Sequence, residues 1–168
     1  VSRQLEAILQ RNADIWVLTE THESVAIPGY HGCTSDRSPG YHAEGEHCVA
    51  IWSRYPLGRV HTRDSEFTVA ASIELPAGQK PLLVYGTIIT YGHDGVAQRQ
   101  AMPWERHRAA VARQTAEWQE LQQAYPDHRL CVAGDFNENL DGTRWYGVQD
   151  AKDAIARGLD SAGMRCLT

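Results

Sequence analysis

Two segments of the chain end an apolar run in residues able to do chemistry. In Cys131-Val132-Ala133-Gly134-Asp135-Phe136-Asn137 the run stops at a carboxylate, with an amide two residues on. Positions i and i+2 of an extended chain share a face, so Asp135 and Asn137 can reach one site while Phe136 anchors the opposite side. Gly134 leaves room for close backbone approach. A carboxylate beside an amide donor suits a water to be deprotonated and an anionic oxygen to be stabilised. The alternative is a polar turn whose side chains bond their own backbone. Ile15-Trp16-Val17-Leu18 runs in the same way into Thr19-Glu20-Thr21. Glu20 could be an oxygen ligand for Mg²⁺, which takes one or two carboxylates and keeps water and phosphate oxygens besides. It could equally end a strand in solvent.

The elements that must hold these residues follow from periodicity. Leu5, Ile8 and Leu9 recur at helical spacing, and Asn12-Ala13-Asp14 breaks that pattern before a buried strand at Ile15-Trp16-Val17-Leu18. Residues 21–46 are rich in Gly, Pro, Ser and His, and read as a long surface excursion with a short strand near Tyr30 to Thr34. Strands are then predicted at 47–53, 57–62, 67–75 and 82–89. With no helix between them they suggest an antiparallel meander. From Pro103 the spacing of His107, Val111, Trp118, Leu121 and Tyr125 predicts one amphipathic helix, closed by Pro126. Leu130 to Ala133 reads as a short buried strand, 153–162 as a helix and 164–168 as a final strand. The pattern is α+β, with strands packed under helices.

Composition narrows the setting. The 168 residues are 42% hydrophobic and 22% charged, as in an ordinary globular domain, and no repeat or linker divides them. Sixteen Lys and Arg against twenty-one Asp and Glu leave a net charge of −5, which excludes a basic nucleic-acid coat. No stretch approaches the roughly 18 apolar residues of a membrane helix, and no signal-peptide pattern opens the chain. Cys33, Cys48, Cys131 and Cys166 are scattered and read as free thiols, with Cys48 and Cys131 in apolar runs that look buried. That favours a reducing, cytoplasmic compartment. No obligate protein partner is implied.

Other residues have both an ordinary reading and a functional one. His22 and Glu23 follow Glu20 and could line a site entrance or sit in a solvated loop. Arg99, Arg106, His107 and Arg108 form a basic cluster that could meet phosphate or make a solvated helix face, although His107 shares the apolar stripe. Trp145-Tyr146 could stack on a base or pin a loop to the core.

Three motifs in order carry a family resemblance. Asp14 to Thr21 (DIWVLTET) looks like the "DIvcLQEt" segment of the endonuclease/exonuclease/phosphatase superfamily, Val49 to Pro56 (VAIWSRYP) is similar to its "GVAiLSR-P" strand, and Gly134-Asp135-Phe136-Asn137 matches its GDFN motif. The superfamily includes AP endonucleases, DNase I-like nucleases, inositol polyphosphate phosphatases and sphingomyelinases. The resemblance covers about Leu5 to Thr168 and implies a DNase I-like four-layer α/β sandwich, two packed mixed sheets with outer helices and a phosphate site at converging strand ends. It implies Mg²⁺, with Mn²⁺ as a substitute, and a phosphoester substrate: nucleic acid, nucleotide, or lipid or inositol phosphate. Glu20 would be the metal ligand, Asp135 would orient or deprotonate the attacking water, and Asn137 would be a hydrogen-bond partner.

The departures matter as much. The family's Asn upstream of the Glu segment has no counterpart, and neither do its late strand Asp and the S-D-H segment that contacts the scissile phosphate. One truncated domain over 1–168, lacking its first and last strands, is therefore expected. Ile88 stands where the family places a His or Tyr, so Tyr91 or His93 is the expected replacement donor, and with Arg99 of the basic cluster they are the substrate-binding candidates. Hydrolysis of a phosphodiester is slightly favoured over a phosphomonoester. The charge tilts against a dedicated duplex-DNA endonuclease. The alternative function is a non-catalytic remnant of the same fold that binds or scaffolds.

Overall fold

The computed structural model describes residues 3–37, 42–143 and 145–167. It comprises two compact units, Val1–Thr87 with Asp127–Gly134, and Ile88–Pro126 with Asp135–Thr168.

The first unit opens with helix α1 (Arg3–Arg11), which stops at Asn12, where φ is +53°. Strands β1 (Ile15–His22), β2 (His31–Thr34) and β3 (Glu46–Ser53) make one sheet in the order β1-β3-β2, antiparallel throughout, with Ile15 opposite Ser53 and His31 opposite the same residue. Strands β4 (Leu57–Val60), β5 (Thr68–Ile73), β6 (Leu82–Ile88) and β7 (Arg129–Asp135) follow one another in the second sheet. The pairs β4–β5 and β5–β6 are antiparallel. Between β6 and β7, Arg129 N–H reaches Pro81 C=O at one end (3.0 Å) and Ile89 N–H reaches Asp135 C=O at the other (2.9 Å), so these two run parallel and the sheet is mixed.

Strand β3 lies against β5, and the core sits where they meet: Val49, Ala50, Ile51, Val69, Ala70, Ala71, Ile73, Leu83, Val84 and Tyr85 are all buried. Each large aliphatic side chain there contributes roughly 1.5–3 kcal/mol relative to exposure. Both β3 and β5 have neighbours on two sides, and for that reason their sequences are apolar in unbroken runs rather than alternating. The expected meander is thus confined to β4-β5-β6. Strand β3 belongs to the other sheet, because the turn at Arg54 to Pro56 carries the chain across and not back alongside.

Two strands are wetter than their composition predicts. Strand β1 is half-buried from Ile15 to Thr19, and in β7 Cys131 is exposed. Each is the last strand in its sheet's order, with a neighbour on one side only among the described residues.

The second unit holds helices α2 (Glu105–Ala124) and α3 (Gln149–Ser161). The buried face of α2 runs His107, Ala110, Val111, Gln114, Thr115, Glu117, Trp118 and Leu121, which holds the predicted stripe except Tyr125, the residue that caps the helix. Helix α3 packs on it where Thr115 meets Gly158, and the Arg108 guanidinium pairs with the Asp150 carboxylate at 2.6 Å. Helix α3 begins four residues before the predicted 153. No strand forms over 164–167: Met164 N–H instead closes the end of α3 onto Leu159 C=O at 2.8 Å. Thr168 lies outside the described residues.

Candidate functional site

The end of β7 is built by alternation. Phe136 turns inward and its ring lies 6.2 Å from that of Trp118 on α2, while Asp135 on the other side is exposed. Asp135 Oδ1 accepts the N–H of Asn137 at 2.9 Å, and Asn137 takes φ +48°. Its Nδ2 donates to Ile89 C=O at 2.9 Å, next to the rung in which Ile89 N–H meets Asp135 C=O. The structure therefore brings Asp135 and Asn137 together on one turn. The backbone-bonding turn and the reactive pair coexist: one carboxylate oxygen is held, the other is left to solvent, and Asn137 keeps one amide hydrogen to donate.

Gly134 makes this geometry possible. Its φ is +146°, and a Cβ there would lie 1.9 Å from Thr87 C=O, so the close approach read from the sequence is a requirement.

In the first unit, Glu20 sits within β1 at φ +51°, a conformation costly for a residue with a Cβ. Its neighbours Thr19 and Thr21 keep their pairing with Val49 and His47, so the twist turns one side chain without slipping the strand. Glu20 is exposed, and no described donor or cation binds its carboxylate. Its charge is felt by Cys48, whose thiol is pushed up to about 12 by burial first, then by Glu66 and Glu20. An unpaired, solvent-facing carboxylate fits a hard, partly hydrated cation such as Mg²⁺. Among the described residues, no group of three or more His, Cys, Asp or Glu side chains is gathered as a metal cluster.

The remaining candidates divide by whether their polar groups are already used. His22 Nδ1 lies 2.9 Å from the Ser24 hydroxyl and Nε2 lies 3.1 Å from Glu44 C=O, while Glu23 faces Arg37 at 4.0 Å. Arg106 reaches Asp94 and Gln100, and Arg108 reaches Asp150, so both serve the fold. Tyr91, His93 and Arg99 are exposed on the turn-rich segment that follows Ile89. Tyr146 packs its ring 5.3 Å from that of Trp104 and accepts the N–H of Gly92 at 3.5 Å, which pins its loop. Trp145 remains 78% exposed.

Glu138 escaped the sequence reading. Its side chain is wholly buried with Oε1 3.0 Å from His107 Nε2, also wholly buried. The available signal was alternation: residue 138 shares Phe136's inward side, where an acid requires a partner.

Two sheets and three helices, with β6 and β7 parallel, make this an α+β fold of the DNase I-like class. The chain belongs to the Endonuclease/Exonuclease/phosphatase family, whose model matches residues 1–154. A sequence search of the curated proteins finds no match. Among solved structures, the human Nocturnin catalytic domain with bound sulfate is similar at 19% identity and TM-score 0.63, covering 96% of this chain and 67% of that one. The endonuclease domain of TRAS1, a telomere-specific non-LTR retrotransposon, is similar at 15% identity and TM-score 0.64, covering 98% and 66%. Sphingomyelinase C from Streptomyces griseocarneus is similar at 16% identity and TM-score 0.59, covering 95% and 61%. The chain thus spans about two thirds of the length of these structures, and they share its fold.

Proposed function

We propose that this domain hydrolyses a phosphoester with Mg²⁺ or Mn²⁺ bound, a phosphodiester in preference to a phosphomonoester. The observation that carries the reading is the Asp135–Asn137 turn, which presents one free carboxylate oxygen and one free amide hydrogen from a backbone locked to Ile89. The Asp135 carboxylate orients the attacking water and accepts its proton, and Asn137 Nδ2–H donates to the phosphoryl oxygen that gains charge. Glu20 is the carboxylate that would hold the metal, which supplies charge neutralisation on the phosphoryl oxygens and leaving group. Tyr91, His93 and Arg99, whose side chains serve no described contact, are the assigned substrate contacts. Substrates bearing nucleic acid, nucleotide, or lipid or inositol phosphates all satisfy this chemistry.

The test is hydrolysis of bis-p-nitrophenyl phosphate and p-nitrophenyl phosphate by this chain, with Mg²⁺ and with chelator, alongside Asp135→Ala and Glu20→Gln. The expected result is faster turnover of the diester, loss with chelator, and a fall of about 10²–10⁴-fold in Asp135→Ala. Glu20→Gln should raise the Mg²⁺ concentration needed for half-maximal rate. A folded chain that neither hydrolyses these esters nor binds Mg²⁺ would refute the reading in favour of a non-catalytic binding domain.

A further inference from the structure

The wholly buried His107–Glu138 pair has no part in the chemistry just described. His107 Nδ1 lies 2.6 Å from Thr90 C=O, which only accepts, so Nδ1 carries the hydrogen and Nε2 faces Glu138. His107 Nε2 and Glu138 Oε1 stand 3.0 Å apart with both side chains wholly buried. Glu138 Oε1 also accepts Val148 N–H at 3.2 Å, and Lys152 Nζ on α3 approaches Oε2 to 4.0 Å. At Gly147, where φ is +93°, a Cβ would sit 1.6 Å from Glu138 Oε2, so the carboxylate fills the space a side chain would need. Replacing such a buried pair by apolar residues often leaves stability unchanged or improved, so stability alone does not account for it.

What the pair does account for is a closed ring. Asn137 Nδ2 bonds Ile89 C=O, Ile89 is joined to Thr90, Thr90 C=O accepts from His107, His107 meets Glu138, and Glu138 is joined to Asn137. We propose that His107 and Glu138 are positioning residues that close this ring and thereby fix the Asn137 amide for transition-state contact. The inference rests on the phosphoesterase reading for its kinetic consequence, and on geometry alone for the ring.

The experiment compares His107→Ala, Glu138→Ala, their double variant, Glu138→Gln and His107→Gln. Readouts are melting, kcat and KM for bis-p-nitrophenyl phosphate with Mg²⁺, and hydrogen exchange of the Asn137 side-chain amide by NMR. In the alanine variants kcat should fall about 10- to 100-fold with KM within about twofold, because a misplaced group costs the transition state and not ground-state binding. The double variant should match the singles, and Asn137 exchange should quicken in all three. Glu138→Gln, which keeps the side chain's shape and can donate an amide hydrogen to His107 Nε2 or accept from Val148 N–H, should recover part of the rate. If the alanine variants fail to melt cooperatively, His107→Gln decides, since it cannot reach Thr90 and Glu138 together and should lose kcat while folded. Unchanged kcat and unchanged Asn137 exchange in a folded variant would overturn the proposal. If wild type itself is inactive, the phosphoesterase reading fails, and Asn137 exchange alone still decides the ring.

Discussion

Gly134→Ala is the sharpest probe of how the fold builds this strand end. A Cβ at residue 134 lies 1.9 Å from Thr87 O and 2.9 Å from Thr87 N and C, all backbone atoms that no rotamer change can move aside. Carbon and oxygen need about 3.3 Å even in close contact, so β7 must retreat from β6 by more than about 1 Å. The flanking rungs, Arg129 N–H to Pro81 C=O at 3.0 Å and Ile89 N–H to Asp135 C=O at 2.9 Å, would then stretch beyond hydrogen-bonding range. Positive φ adds about 1–2 kcal/mol and the forced displacement about 1–3 kcal/mol, for a total of about 2–5 kcal/mol. In a chain of this length that lowers Tm by about 5–20 °C. Gly78→Ala is the control: φ is +88°, with no atom within 4 Å of the added carbon, so only the conformational part applies, about 1 kcal/mol or 2–4 °C. Circular dichroism melts of the two variants and wild type measure both parts. If Gly134→Ala melts no lower than Gly78→Ala, the close approach of Thr87 is not a constraint and the reasoning is wrong.

Thiol reactivity should follow burial: at pH 8 a maleimide or iodoacetamide labels exposed Cys166 first, whereas Cys33 and Cys48, pushed up to about 11 and about 12 chiefly by burial, remain protonated and label last. Rapid labelling of Cys48 in the folded chain, read by mass spectrometry, would contradict this core. The Arg108 hydrogen bond holds the Asp150 carboxyl below its ordinary value, so its contribution is present above the unfolded pKa of about 3.9 and is lost as pH falls through the folded one. Asp150→Asn should therefore lower Tm by less than about 3 °C at pH 7, with the difference from wild type shrinking towards pH 3, and a gap that persists or widens there would contradict it.

Much of the architecture was legible because periodicity reports burial. The α2 stripe from His107 to Leu121 and the apolar runs of β3, β5 and β6 each matched an element, since a side chain's depth is written in its spacing. The Phe136 ring lies near that of Trp118 while Asp135 is exposed, as alternation suggests for those two residues. Sheet membership was not legible. A strand's sequence records how deeply it is buried and not which neighbour it pairs with, so β3 was grouped with β4 to β6. Edge position was hidden for the same reason, and Cys131 was expected to be buried.

By itself, then, the sequence determined the family, the α+β character and the acid that ends β7, because these follow from residue type and short-range spacing, whereas Glu20, expected just past a strand end, lies within β1. Tertiary structure alone decided which oxygen of Asp135 is held, why residue 134 must be glycine, and that His107 from α2 meets Glu138 from the turn after β7. The last two depend on groups 31 or more residues apart coming within a few ångströms, as Glu138 and His107 do at 3.0 Å. No local pattern encodes such a distance: it is set only when packing fixes where each backbone lies.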